Sequence, residues 1–213
     1  YLIEDDYDCE FRLAGKPISP LQTIDVHGRV IYTNTFTKTL GPAFRIGYMV
    51  LPAHLIAPFA ERLGFYSCTV STIDQIALAR FIESGNYERH VNRMRSYYRT
   101  VRNEIIAALK TTALEGRISF EAEDSGLHFI LGIDTAATDA SITASARKEG
   151  IALAPLSNFY QLQEGEGLNK GTAEHTCRFV MSYGGIELGD IPPAVDALAK
   201  AVATAENAPR QPS

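Results

Sequence analysis

Short apolar runs alternate with longer amphipathic stretches along the chain, a pattern that predicts a mixed α/β fold. In the first half, the apolar runs end at polar residues and are typical of strands. The predicted strands there are residues 1–4, 29–36 and 44–51, and the first two are predicted to be buried. Buried parallel strands have neighbours on both sides, so we expect sheet partners upstream of residue 1.

Three helices are predicted to follow these strands. Pro52 ends the third strand, just before the first helix. Ser71 and Asp74 form a predicted capping box before the second helix, which ends at Gly85. The predicted helices cover residues 53–63, 75–84 and 87–110. The spacing of the arginines in the third helix is only partly helical, which favours a solvated face over a single basic stripe. These arginines are Arg89, Arg93, Arg95, Arg99 and Arg102.

The second half of the chain predicts a separate α/β layer. Its predicted strands are residues 118–122, 127–133, 151–155 and 177–183, and its predicted helices are residues 141–149 and 191–205. A hinge is expected in the long helix near residues 90–100. The predicted domains are therefore residues 1–95 and 96–206, followed by a disordered tail, 207–213. The acidic loop 164–167 is predicted to be a surface turn without a chemical role.

Composition narrows the classes of function. The chain has 213 residues, enough for a sizeable core, and a net charge of −5, which argues against an extended basic nucleic-acid surface. Its three cysteines form no C-x-x-C pair, so a metal cluster or disulfide framework is not expected and a reducing cytoplasm fits. No signal peptide or long apolar span is predicted from the sequence.

An acidic run follows the first predicted strand. Strand alternation places Asp5 and Tyr7 on one face and Glu4 and Asp6 on the other. A buried aspartate needs a partner, and the protonated ring nitrogen of pyridoxal 5′-phosphate is such a partner. Taken alone, the run is explained more simply as solvated carboxylates at the end of a strand.

Lys38 follows the second predicted strand and is the candidate for a covalent bond to that cofactor. Thr35 and Thr37 offer hydroxyl groups to a phosphate, and Arg45 offers a planar guanidinium that matches phosphate geometry. Each residue also has an ordinary explanation. Lysines at strand ends are mostly solvated, threonines favour strands, and an arginine at the surface commonly forms an ion pair.

Several segments resemble the MocR-type regulators of the GntR family. Residues 4–12 read EDDYDCEFR and are similar to the EDDYDSEFR signature of that family. Residues 28–32, 35–40 and 45–48 resemble its cofactor-lysine segment, and residues 75–79 and 81–90 resemble its helical part. The resemblance covers nearly the whole chain. Cys9 and Thr37 stand where the family more commonly has serine.

This resemblance implies the C-terminal part of a fold-type I aminotransferase-like domain, with a remnant of the large-domain sheet and an α/β small domain. Lys38 would form the internal aldimine with pyridoxal 5′-phosphate. Asp5 would pair with the pyridine nitrogen, and Tyr7 would contact the ring hydroxyl. Arg45 would bind the phosphate. The implied cofactor-binding set is Asp5, Tyr7, Thr35, Thr37, Lys38 and Arg45. The ring-stacking aromatic residue and the phosphate loop belong to the N-terminal portion of such proteins, so we expect incomplete cofactor affinity here.

The substrate-carboxylate arginine of related aminotransferases would fall near Val180. Arg178 lies two residues earlier on the same predicted strand face, where it either takes that role or is a surface strand residue. His128 also matches the family, although a lone histidine in an apolar strand is more often a satisfied core residue.

Three hypotheses remain open from the sequence. The first is the effector-sensing domain of a homodimeric transcription regulator, which captures an amino compound and contacts DNA only through an upstream domain. The second is a free-standing aminotransferase, in which Lys38 moves a proton on the substrate. The third is a fragment that keeps its fold but does not bind the cofactor.

Overall fold

The computed structural model describes residues 1–13, 18–123, 126–160 and 176–208 of the chain. The chain divides into two compact units, Tyr1–Arg95 and Ser96–Ser213. Each unit has its own β-sheet, three-stranded in the first and four-stranded in the second. The mixed α/β class predicted from the sequence is confirmed.

The sheet of the first unit combines parallel and antiparallel pairing. Its strands are β1 (Leu2–Asp5), β2 (Val30–Thr35) and β3 (Gly47–Val50). β1 runs parallel to β2, with Asp5 opposite Thr33. β3 runs antiparallel to β2, with Thr35 opposite Gly47. The last residues of β1 and β2 and the first residue of β3 therefore lie at the same edge, named here the carboxyl edge.

Short helices connect these strands, and longer ones follow them. The helices are α1 (Leu21–Ile24), α2 (Thr37–Leu40), α3 (Ala53–Leu63), α4 (Thr72–Glu83) and α5 (Asn86–Lys110), which begins in the first unit. The prediction for residues 53–63 is confirmed to the residue. The predicted capping box at Ser71 is wrong, because the Ser71 side chain makes no cap hydrogen bond. α1 and α2 were not predicted, since four residues are too few to show a helical period.

The predicted burial of the first strand is also wrong. Leu2 is 45% exposed and Ile3 is 71% exposed, and all four residues of β3 are exposed as well. An apolar strand becomes buried only where another layer covers it, and the described residues of this unit leave these side chains largely exposed. The pattern of apolar residues therefore predicts the strand, but it does not show whether another layer packs against that strand.

The second unit packs an antiparallel sheet against helices. The strands, in spatial order, are β4 (Ile118–Glu121), β5 (His128–Asp134), β7 (Thr176–Ser182) and β6 (Ala154–Pro155). The helices are α6 (Asp139–Lys148), α7 (Ile191–Glu206) and the second half of α5. Phe129, Leu131 and Phe179 on one sheet face are fully buried. Burial of each such side chain contributes about 1.5–3 kcal/mol, so this unit contains a true core.

Two boundaries in the second unit differ from the prediction. α6 begins at Asp139, because the Thr138 hydroxyl accepts from the Ser141 N–H in a reciprocal capping box. The predicted strand 151–155 shortens to two residues. The Ile151 N–H instead bonds to the Ala146 carbonyl, which keeps the chain at the end of α6.

Three further predictions concern the ends and loops of the chain. The acidic loop 164–167 lies outside the described residues, as does the tail beyond residue 208. The first residue of the predicted tail, Asn207, still bonds through its N–H to the Ala203 carbonyl of α7. Within the described residues, no helix has both the length and the apolar character that crossing a bilayer requires.

Candidate functional site

The carboxyl edge of the first sheet gathers the residues singled out from the sequence. Asp5 ends β1, Thr35 ends β2, and Arg45 lies two residues before the start of β3. The Phe36 N–H bonds to the Ile46 carbonyl at 2.9 Å, which extends the β2–β3 pairing by one step. Ligands commonly bind at the carboxyl ends of parallel strands, where loops carry the functional side chains.

Within the acidic run, the structure separates Asp5 from its neighbours. The Glu4 carboxylate accepts hydrogen bonds from the N–H groups of Leu21 and Gln22, at 2.7 Å and 3.0 Å. Asp6 accepts from the hydroxyl of Tyr32 at 3.0 Å. Among the described residues, the Asp5 side chain makes only a long contact of 3.4 Å with the Thr33 hydroxyl, and it is exposed rather than buried. Its carboxylate is therefore available to a ligand, whereas Glu4 and Asp6 stabilise the fold.

Lys38 lies in α2, directly after β2, and its side chain is exposed. Its Nζ atom is 5.6 Å from the centroid of the Tyr7 ring, on the loop after β1. The attraction of an ammonium group to an aromatic face contributes about 0.5–1 kcal/mol at an exposed position. This contact brings together two residues that are far apart in the sequence, because both follow adjacent parallel strands.

The hydroxyl groups of Thr35 and Thr37 contact main-chain carbonyls of the segment that precedes β3. The hydroxyl groups of Thr35 and Thr37 are 2.9 Å apart. Thr37 Oγ1 donates to the Phe44 carbonyl at 3.0 Å, and Thr35 Oγ1 lies 3.1 Å from the Ile46 carbonyl. Because a hydroxyl has one hydrogen, each threonine must rotate away from its present acceptor before it donates to a phosphate.

The two candidate arginines lie in different units. Arg45 is exposed and has no hydrogen-bond or ion-pair partner among the residues that the structure describes. Arg178 on β7 pairs with the Glu121 carboxylate on β4. Gly132 on β5 lies opposite Arg178, and its lack of a side chain leaves room for the Ser119 hydroxyl on β4. Arg45 is thus free to bind an anion, whereas Arg178 already holds a carboxylate.

A polar network behind the carboxyl edge was missed from the sequence. The Tyr32 hydroxyl accepts from Asn34 Nδ2 at 2.9 Å while it donates to Asp6. Burial raises the pKa of Tyr32 well above its ordinary value. Burial, followed by the charge of Glu10, raises the pKa of the Cys9 thiol to about 12. The signal in the sequence was weak: Tyr32 and Asn34 are two apart in a strand and so share a face.

These residues match pyridoxal 5′-phosphate in chemical type, and the strand ends that carry them lie together at the carboxyl edge. A lysine and a phenol lie side by side at the carboxyl edge, and the neighbouring strand ends in a carboxylate that has only a long hydrogen bond among the described residues. The hydroxyls of Thr35 and Thr37 lie at and just after the end of β2, and Arg45, which has no partner among the described residues, lies before the start of β3. The sequence predicted each of these residues, but not that Lys38 sits on a helix.

Comparison with known proteins decides between the families that could carry this arrangement. No protein-family model matches the chain. The kynurenine aminotransferase of Pyrococcus horikoshii, solved with PMP, superimposes on 97% of this chain and 48% of that chain, with a TM-score of 0.72 and 26% identity. Aro8 of Candida albicans gives a TM-score of 0.77 over 98% of this chain and 51% of that chain, at 20% identity. The second likeness shows the fold.

Several of the curated relatives are regulators. The chain is 40% identical over 161 residues to the uncharacterized HTH-type transcriptional regulator YdeL of Bacillus subtilis, covering 76% of this chain and 35% of the relative. It is 35% identical over 157 residues to the probable rhizopine catabolism regulatory protein MocR of Rhizobium meliloti. This match covers 74% of this chain and 32% of the relative. The chain belongs to the MocR type of aminotransferase-like domains. This MocR-type domain spans about a third of the length of these curated relatives.

Proposed function

We propose that this MocR-type domain binds pyridoxal 5′-phosphate through Lys38 and senses an amino compound for a GntR-family transcription regulator. The observation that carries the proposal is the contact of Lys38 with Tyr7 at the carboxyl edge. The two residues belong to separate segments, and both are assigned to the cofactor by motif. Their proximity supports a shared ligand more strongly than either motif does alone.

Each residue at the carboxyl edge has a distinct task in this proposal. Pyridoxal phosphate supplies an aldehyde carbon that bonds to primary amines with release of water. Lys38 would provide the amine that holds this carbon, and an incoming amino compound would take its place. Asp5 would hold the proton on the ring nitrogen, and the Tyr7 hydroxyl would donate toward the ring oxygen. The phosphate is held by Arg45, with Thr35 and Thr37 donating after rotation.

We also propose that Arg178 binds the carboxylate of the ligand. Its guanidinium already pairs with the Glu121 carboxylate, which shows that a carboxylate can bind Arg178 at this position on β7. The Nε atom of Arg178 is buried without a hydrogen-bond partner among the described residues. A bidentate carboxylate would supply that partner.

The rest of the proposal concerns the whole protein. We propose that it acts as a homodimer in the cytoplasm and contacts DNA through an upstream domain. The net charge of −5 supports the view that these residues do not bind DNA themselves. A winged helix-turn-helix encoded upstream in the same gene would support the regulator, and a gene that starts directly with an aminotransferase domain would contradict it.

A titration with pyridoxal phosphate tests cofactor binding. The visible absorbance of the lysine-bound cofactor is expected in the chain and is expected to be lost in Lys38→Ala. Addition of amino compounds should then shift the band for the true ligand. If no band develops at saturating cofactor, the domain keeps its fold without binding and the proposal fails.

The likeness to enzymes supports a second candidate, a free-standing aminotransferase. The chain is 25% identical over 159 residues to the aromatic-amino-acid aminotransferase 1 of Thermococcus litoralis. Steady conversion of an amino acid and a 2-oxo acid, lost in Lys38→Ala, would favour the enzyme. Band shifts without turnover would favour the sensor.

A further inference from the structure

The residue after Lys38 is held by helix α5. Thr39 is only 1% exposed. Its carbonyl oxygen lies 2.7 Å from His90 Nε2, and its hydroxyl lies 3.3 Å from the Tyr87 hydroxyl. Thr39 Oγ1 donates its own hydrogen to the Phe36 carbonyl at 3.1 Å, so Tyr87 is the donor in that contact. Two side chains of α5 therefore converge on the residue next to Lys38.

The tautomer of His90 follows from its neighbours. Arg93 Nη2 lies 3.4 Å from His90 Nδ1, and a guanidinium group only donates. Nδ1 is therefore the acceptor, and Nε2 carries the hydrogen that is donated to the Thr39 carbonyl. That carbonyl lies in the last turn of α2, where main-chain oxygens have no partner within the helix.

Aromatic contacts fix the orientation of both side chains. The Tyr87 ring meets Phe36 edge-on, with centroids 5.7 Å apart, and meets Phe81 at 6.4 Å. The His90 ring lies 6.3 Å from Phe81. A helix of four residues is not stable by itself, so α2 depends on such tertiary contacts for its conformation.

We propose that His90 and Tyr87 are positioning residues for Lys38. They clasp Thr39 and so set the direction in which the neighbouring ε-amine approaches the cofactor's aldehyde carbon. The inference rests on the proposed function, since it assumes that Lys38 is the reacting amine. Neither residue touches the reacting atoms, and misplacement of a reacting group costs about 10²-fold in rate.

The test separates positioning of the lysine from binding of the cofactor. Pyridoxine 5′-phosphate has an alcohol in place of the aldehyde, so its affinity reports the pocket without the covalent step. The rate constant for growth of the visible band with pyridoxal phosphate reports the covalent step. His90→Leu removes the donor, His90→Gln retains an N–H donor, and Tyr87→Phe removes only the hydroxyl. Two residues without described hydrogen-bond partners for their side chains supply the matched controls, His27→Leu and Tyr97→Phe.

We expect His90→Leu to slow covalent attachment by about 10-fold or more, and Tyr87→Phe by about 3-fold, as loss of a partly buried hydrogen bond implies. Affinity for pyridoxine 5′-phosphate should stay within about 2-fold, and His90→Gln should recover most of the rate. The controls should match the parent chain.

Equal rates in His90→Leu and the parent chain would overturn the inference, as would parallel losses in rate and in pyridoxine phosphate affinity. If His90→Leu does not fold, Tyr87→Phe carries the test, since it keeps both ring contacts. Failure of the parent chain to attach the cofactor would overturn the proposed function and the clasp with it. Attachment that is insensitive to all clasp variants would overturn the clasp alone.

Discussion

Lys38 Nζ lies 5.6 Å from the centroid of the Tyr7 ring, although two short helices and a strand lie between the two residues along the chain. The parallel pairing of β1 with β2 produces this proximity, since both residues follow strands that end at the same edge. Asp5 and Thr35 are the last residues of those strands, so the same pairing places them at this edge too.

Asp5 and Glu4 should respond oppositely to neutralisation. Asp5→Asn should weaken pyridoxal phosphate binding by about 10–100-fold, because it replaces a charged hydrogen-bond acceptor, and should leave the free energy of unfolding nearly unchanged. Glu4→Gln should lower the free energy of unfolding by about 1 kcal/mol, since its carboxylate holds the N–H groups of Leu21 and Gln22. Absorbance titration and urea unfolding of each variant measure both effects. Equal affinity losses in the two variants would contradict the assignment of Asp5.

Arg45 should contribute to binding of the cofactor's phosphate group and not to binding of its ring. Arg45→Gln should reduce affinity for pyridoxal phosphate by about 10-fold or more, as loss of a charge-assisted hydrogen bond implies. Its affinity for pyridoxal, which lacks the phosphate, should not change. Arg62→Gln, on an exposed face of α3, serves as the control. A similar loss with pyridoxal would place Arg45 outside the phosphate site.

Arg178 should discriminate between ligands with and without a carboxylate. Arg178→Gln should weaken the response of the cofactor band to α-amino acids by about 10-fold or more, because a charged pair is lost. The response to the amines that lack the carboxyl group should remain. Arg147→Gln, on an exposed part of α6, is the matched control. Unchanged selectivity would leave Arg178 a strand residue that pairs only with Glu121.

Glu206 should make the stability of the domain depend on pH. The hydrogen bond from Arg117, with a second from Thr135, lowers the pKa of Glu206 below its ordinary value despite an opposing effect of burial. A carboxyl group with a lowered pKa in the folded state stabilises the protein above its unfolded pKa. The stabilisation disappears as the pH falls through the folded value.

Glu206→Gln should therefore reduce the free energy of unfolding by about 0.5–1 kcal/mol near neutral pH, since the pair is partly exposed. The difference from the parent chain should shrink toward zero at acidic pH. Urea unfolding at a series of pH values measures it, with Glu187→Gln as an exposed control. If the difference in the free energy of unfolding between Glu206→Gln and the parent chain grows as the pH falls, the pKa of Glu206 is not lowered by folding.

Local signals predicted much of the fold. α3 was placed to the residue because Pro52 precedes it and Gly64 follows it, and such residues mark helix boundaries. β5 and β7 were placed within one residue at each end, since their apolar side chains alternate or run together. The exposure of Leu2 was not predictable, because burial depends on residues that a local pattern does not contain.

The candidate site was predictable as a set of residues and not as a geometry. The motifs identified Lys38 and Asp5, but nothing local indicated that Lys38 lies on a helix or that Asp5 is exposed. The clasp on Thr39 was invisible, because His90 is 51 residues away and its partner is a main-chain oxygen. Every residue has a main-chain carbonyl, so a long-range contact to one cannot be predicted from the type of the residue that carries it.

Reduction with borohydride after incubation with pyridoxal phosphate, followed by peptide mapping, tests the central claim most directly. Reduction makes the bond between cofactor and lysine permanent, so mass spectrometry identifies the modified residue. We predict stoichiometric labelling of Lys38, loss of the label in Lys38→Ala, and full labelling of Lys38 in Lys148→Ala, which changes an exposed lysine of α6. Labelling spread over several lysines, or undiminished in Lys38→Ala, would contradict the account.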